Sequence, residues 1–269
     1  MTEACAAIVQ RDDPHLHATA LFASEPARSR LMVLYAFDCE LDRAVQSSKE
    51  SLIPRMRLQW WRDAIDEASD GKPPKAHEVA APLTDLLKTP DYAAVAPLLR
   101  QMIDARDMEL SGLDTDEDWR LWSQLRFRSR VQGAIILLDP SAADAPDVAE
   151  PMALAFALRT ARAMAMRDGR ILMPDIRGGA VAVIARGEVP EAVLAGMQVK
   201  ARDALKAIET AKKFQPVSRT AIPAMLPLFR DSRVLRLAAA SGFRFGDLDQ
   251  IDRPFDGLKL AWRAALGRW

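Results

Sequence analysis

Acidic side chains one helical turn apart, neighbouring histidines and paired thiols are the groups that can hold a metal or move protons, and this sequence carries a fragment of each. Asp114, Asp116 and Asp118 begin like a calcium loop, yet the sixth and twelfth positions, which need Gly and Glu, are Trp119 and Leu125. The same residues suit a helix start, with Thr115 as N-cap and Asp118 three residues on, near the positive end of the helix dipole. Asp63, Asp66, Glu67 and Asp70 fall on successive turns, so Asp66 and Asp70 can share a cation, although a charge run just before Gly71 reads first as a solvated helix end. His15 and His17 stand on different sides of any helix that contains them, and no third ligand lies near. Cys5 and Cys39 lack CxxC spacing and read as reduced thiols. The phosphate-binding and nucleophile-elbow motifs GxxxxGK[ST], GxGxxG and GxSxG are missing from the chain.

Whatever chemistry the chain performs must be positioned by helices. Apolar residues recur at steps of three and four, as in Leu34, Phe37, Leu41, Ala44 and Val45 and in Leu154, Leu158, Ala161 and Ala165. Pro and Gly punctuation divides the chain into helices at about 28–48, 52–70, 76–89, 92–111, 116–138, 147–167, 190–213, 219–240 and 255–267. The stretch 174–189, where Pro174, Gly178, Gly179 and Gly187 crowd together ahead of Pro190, is the one long expected loop. Val181 to Ile184 is the best strand candidate and is too short to outweigh the helical pattern. The fold class expected is therefore all-α, with residues 1–269 forming a single domain.

The 37 basic and 37 acidic side chains cancel, which removes the charge footprint of a nucleic-acid binder. The opening MTEACAAIVQRDD has neither the basic n-region nor the apolar run of a secretory signal, and no stretch approaches the roughly 20 apolar residues of a membrane span. A cytoplasmic protein with at most peripheral membrane contact is expected.

Two segments stand out as words: Leu34-Tyr-Ala-Phe-Asp-Cys-Glu-Leu-Asp42 and Met56-Arg-Leu-Gln-Trp-Trp-Arg-Asp63. Together they resemble the squalene/phytoene synthase family, the first matching its Tyr-Ala-x-x-Arg-x-x-Asp-x-x-x-Asp helix and the second its Arg-x-x-x-Trp-Trp-Arg helix. Arg128 to Gly133, Leu158-Arg159, Gly169-Arg170-Ile-Leu-Met-Pro174 and the closing Trp262 to Trp269 extend the resemblance over most of the chain. It implies a helical bundle of the isoprenoid synthase type around a central cavity. In that family two aspartate-rich helices face each other across the cavity and hold magnesium ions, which bind the diphosphates of two prenyl substrates and promote ionisation.

Carried over residue by residue, the first helix keeps Tyr35 and Asp42, but Cys39 stands at the arginine and Gln46 at the second aspartate. Asp38, one turn before Asp42, offers a shifted carboxylate pair. The family's second motif falls on Ala153, Phe156, Arg159, Thr160 and Met164, where only the arginine survives. Ala153, Phe156, Thr160 and Met164 share one stripe, which reads as helix packing, and a magnesium diphosphate desolvated against it would lack compensating ligands. The resemblance thus points to a divergent branch with mitochondrial members that act in the assembly of respiratory complex I. The expected function is that of a non-catalytic assembly or binding factor, a pseudoenzyme with a possible protein partner and a cavity for a lipid or prenyl ligand. Tyr35, Asp38, Asp42, Gln46, Phe156, Thr160 and Met164 are its candidate ligand-binding residues. No cofactor is expected. Magnesium enters only under the alternative, an active prenyltransferase that condenses two prenyl diphosphates.

Overall fold

The computed structural model describes residues 2–48, 50, 52–142, 144–174, 176, 178–251 and 256–269, and among them every regular element is helical. In chain order the α-helices are α1 (Thr2–Asp12), α2 (Pro14–Ala20), α3 (Ala27–Gln46), α4 (Leu52–Ser69), α5 (Ala80–Leu87), α6 (Val95–Ser111) and α7 (Asp116–Ser123). Then follow α8 (Ser129–Leu138), α9 (Ala149–Asp168), α10 (Gly179–Ala185), α11 (Glu191–Phe214), α12 (Ile222–Met225), α13 (Leu228–Ala239) and α14 (Asp256–Ala265). No helix of the described residues is long and apolar enough to cross a membrane.

The middle of α3, Leu31 to Cys39, is buried around its whole circumference, and a helix of that kind belongs inside a bundle. Helices α1, α4, α6 and α8 pack around it. Any charged side chain on α3 must then find its partners within the protein, which sets up the site described below. Helix α9 is rich in small residues, Ala153, Ala155, Ala157 and Ala161, and α10, α11 and α13 pack on it. Gly169 ends α9 in the left-handed conformation at φ 65°, open to glycine without a Cβ penalty.

Thr115 caps α7 as its sequence suggests, its hydroxyl accepting from the Asp118 amide while the Asp118 carboxylate accepts from the Thr115 amide. The region 116–138 keeps a helical path, but a π turn at Gln124–Arg128 joins α7 to α8. A π turn changes which side chains face inward, and Arg126, within it, is fully buried. Of the adjacent tryptophans, Trp61 is buried edge-on against Phe37 at 5.2 Å, whereas Trp60 is half-buried.

Three expectations need correction. Helices α1 and α2 precede the first expected helix: Cys5, Ile8 and Val9 bury one face of α1, and Asp13 with Pro14 starts α2. The expected loop 174–189 contains α10, in which Val181 and Ile184, three apart, are buried against α9 at helical spacing; Asp175 and Arg177 lie outside the described residues. The expected helix 219–240 is interrupted, a 3-10 turn at Arg219–Ala221 leading into α12 and α13 starting after Pro227.

Candidate functional site

Helices α3 and α9 face each other across two adjoining cavities. The larger, about 870 Å³, is walled by Asp42, Val45 and Gln46 from α3 and by Phe156, Thr160, Ala163 and Met164 from α9. The smaller, about 350 Å³, shares Asp42, Gln46, Arg126, Phe156 and Thr160 with it and reaches inward to Asp38, Arg159, Arg230 and Asp231. Six of the seven candidate residues thus line one or both cavities. Tyr35 does not: it is buried in the core, where burial raises its phenol pKa, and it lines neither space.

The carboxylates that should receive a cation already hold one of another kind. Asp38 is bonded by Arg106 and, at 3.0 Å, by Arg130. Asp42 accepts from Arg106 Nε at 3.2 Å and takes both oxygens to Arg126 Nη2, at 2.8 and 3.0 Å. Arg126 also binds Glu109, whose Oε1 accepts from the Trp122 indole at 2.8 Å. Arg106 and Arg126 are 0 and 1% exposed and Asp38 is 4% exposed, so the Asp38 pairs are held away from water, whereas the Asp42 side chain keeps 34% of its surface exposed. Burial pushes the Asp38 carboxyl up, but Arg106, Arg130 and Arg126 outweigh it and hold it at about 2. Asp42 is raised instead, because burial and the neighbouring Asp38 and Glu109 oppose the help from Arg126 and Arg106.

The facing helix puts one carboxylate on the larger cavity, Asp168 at its last position, and Arg167 pairs with it at 2.6 Å. Ala153 is fully buried, Phe156 and Met164 are partly buried apolar groups, and the Thr160 hydroxyl donates to the Phe156 carbonyl at 2.9 Å. The Phe156 ring packs against the Arg126 guanidinium, 3.9 Å from its centroid, so this wall faces a fixed cation. Farther in, Asp13 chelates Arg230 at 3.2 and 3.1 Å, while Arg159 Nε is buried without an acceptor and burial together with Arg230 lowers that guanidinium to about 10. His15 lies beside this group, lowered to about 3 by burial and Arg230, and is thus neutral. Among the described residues no group of three or more His, Cys, Asp or Glu side chains is placed to hold a metal.

Residues 9–246 match the family model described as squalene/phytoene synthase. The chain belongs to the squalene/phytoene synthase family. A solved structure, a dehydrosqualene synthase in complex with ligand, matches it with a TM-score of 0.79 at 15% identity, over 98% of this chain and 95% of that one. At that identity the likeness speaks for the fold, the helical isoprenoid synthase bundle expected from the sequence. None of the curated proteins matches the chain.

Set against the family's magnesium chemistry, the residues present do not fit. A magnesium ion takes near-octahedral oxygen ligands, whereas here Asp38, Asp42 and Glu109 are bound by Arg106, Arg126 and Arg130, and the one carboxylate of the opposite wall, Asp168, is bound by Arg167. In the other acidic run Asp66 pairs with Arg100 at 2.7 Å, Glu67 with Lys75 at 2.9 Å and Asp70 with Lys72 at 3.5 Å, while Asp63 accepts from the Gln59 amide at 2.8 Å.

Reading the sequence residue by residue missed Arg106, Glu109, Arg126, Arg230 and Asp231. A signal for two of them was present on α6. Val95, Leu99, Met102, Arg106 and Glu109 form one buried stripe at steps of three and four, so Arg106 and Glu109 occupy core positions of an amphipathic helix.

Proposed function

We propose that this family member does not condense prenyl diphosphates and serves as a binding scaffold whose cavity admits a lipid or prenyl chain. The observation that carries the proposal is the capture of Asp38 and Asp42 by Arg106, Arg126 and Arg130, opposite a helix whose one carboxylate in the cavity, Asp168, is itself paired with Arg167. Ionising a prenyl diphosphate calls for concentrated mobile cationic charge at the leaving group, and the charge of Arg106, Arg126 and Arg130 is already spent on Asp38, Asp42 and Glu109. A hydrocarbon chain needs no metal: Val45, Leu110, Phe156, Ala163, Met164 and Leu172 supply an apolar wall. The same loss of metal ligands characterises the branch the sequence resembles, and it supports a role in which the bundle binds and presents rather than transforms, as an assembly factor does.

The test incubates purified protein with farnesyl or geranylgeranyl diphosphate and magnesium, and quantifies diphosphate and any squalene- or phytoene-type product beside an Asp38→Ala/Asp42→Ala variant. No release is expected from either protein, and a prenyl alcohol should bind equally with and without magnesium. Turnover that disappears in the double variant would show an active prenyltransferase instead.

A further inference from the structure

The C-terminal helix α14 leaves one face without a partner. Leu260 and Trp269, 1 and 9% exposed, fasten it to the core, whereas Leu258, Trp262 and Leu266 are 72, 69 and 44% exposed. The Leu266 amide bonds the Trp262 carbonyl at 3.1 Å, so the helical path carries on to that residue. Steps of four put the three side chains on one stripe. Single exposed apolar residues are ordinary, but two leucines and a tryptophan aligned on one short helix form a patch.

Charge decides what such a patch fits. Residues 257–269 carry Lys259, Arg263 and Arg268 and no acidic side chain. Arg219 reaches the same end of the molecule, its side chain lying beside Gly267. Arg263 rests over the Phe229 ring at 5.3 Å, which fixes its base to the bundle. Lys212, over Trp269, adds little because Glu209 pairs with it at 2.9 Å. A second copy of the chain related by a two-fold axis would set these cations against themselves, with no acid beyond Asp256 at the helix start to meet them. An anionic bilayer meets all of them at once, and tryptophan favours the depth at which its ring is in the acyl boundary and its N–H among head groups.

We propose that α14 docks this protein onto an anionic lipid surface, with Leu258, Trp262 and Leu266 entering the acyl boundary and Lys259, Arg263 and Arg268 at the head groups. The proposal rests on this face alone and is independent of what the cavity binds. Three apolar side chains give only marginal attachment, so apolar and cationic contributions are needed together.

The full chain is sedimented with vesicles of phosphatidylcholine and with vesicles of equimolar phosphatidylcholine and phosphatidylglycerol. Binding is expected to the anionic vesicles only, and to weaken with salt. Lys259→Glu/Arg268→Glu should lower it by more than about tenfold, on the basis of roughly fivefold for each lost cation. Leu258→Ser/Trp262→Ser should abolish it without changing the circular dichroism spectrum, because both side chains are exposed. Equal binding to neutral vesicles, no binding to either, or retention in the serine variant would overturn the proposal. So would a concentration-dependent dimer in sedimentation velocity that the serine variant loses, since the stripe would then be covered by a second copy.

Discussion

Helix α6 carries ion pairs on two faces, and the two sets behave as different chemistry. On its outer face Arg100, Asp104 and Asp107 reach across to Asp66, Arg62 and Arg55 of α4 at 2.7, 2.9 and 2.5 Å, all in contact with solvent. On its inner face Arg106 and Glu109 meet Asp38, Asp42 and Arg126 with almost no exposure apart from Asp42. Geometry alone would rank the two sets alike. Water separates them: the exposed pairs exchange one hydration for another and contribute little, while each buried member must keep its partners or leave a desolvated charge. The inner set is therefore held together as a unit of Asp38, Asp42 and Glu109 against Arg106, Arg126 and Arg130, with no carboxylate to give up to a metal.

The largest effect expected from this difference is at Arg106. Arg106→Met should cost about 3–5 kcal/mol in urea unfolding, because it leaves the buried Asp38 with Arg130 alone, Asp42 with Arg126 alone, and a buried charge uncompensated. A loss no greater than that of a surface variant would erase the distinction between the two faces.

The Asp38 titration should sharpen it. A carboxyl held at about 2 in the folded chain, below its ordinary 3.8, stabilises the fold above about pH 4 and loses that contribution as pH falls through about 2. The contribution is on the order of 2 kcal/mol for a shift of this size. The stability gap between the wild-type chain and Asp38→Asn should accordingly narrow across that acid window; a gap constant with pH would mean that the carboxylate is not held by its arginines. The smallest effect belongs to the outer face, where Arg62→Ala should cost less than about 1 kcal/mol and the cost should shrink further in salt.

Much of this architecture was legible in the sequence. Leu34 to Asp42 and the segment holding Trp60 and Trp61 identify α3 and α4, and Phe156, Thr160 and Met164 of the α9 stripe identify the wall that α3 faces, with Ala153 in the core behind it. What the sequence hid falls into two kinds. Local signals were ambiguous at α10, where a β-branched run between glycines suits neither helix nor strand until α9 covers it, and at α2, where the histidines distract from the Asp13 cap. The arginine network was invisible for another reason: its partners lie 64 positions apart for Arg106 and Asp42, 84 for Arg126 and Asp42 and 92 for Arg130 and Asp38. Counting carboxylates on two helices finds missing ligands, but only packing shows that arginines from α6, α8 and the π turn now occupy the remaining ones.

The most direct measurement is a calorimetric titration of magnesium into the wild-type chain and into Asp38→Asn/Asp42→Asn. Carboxylates bound by Arg106, Arg126 and Arg130 should give no saturable heat of binding, so the two titrations should superimpose on the buffer dilution curve. Saturable magnesium binding by the wild-type chain that vanishes in the double variant would contradict the claim that the arginines have displaced the metal.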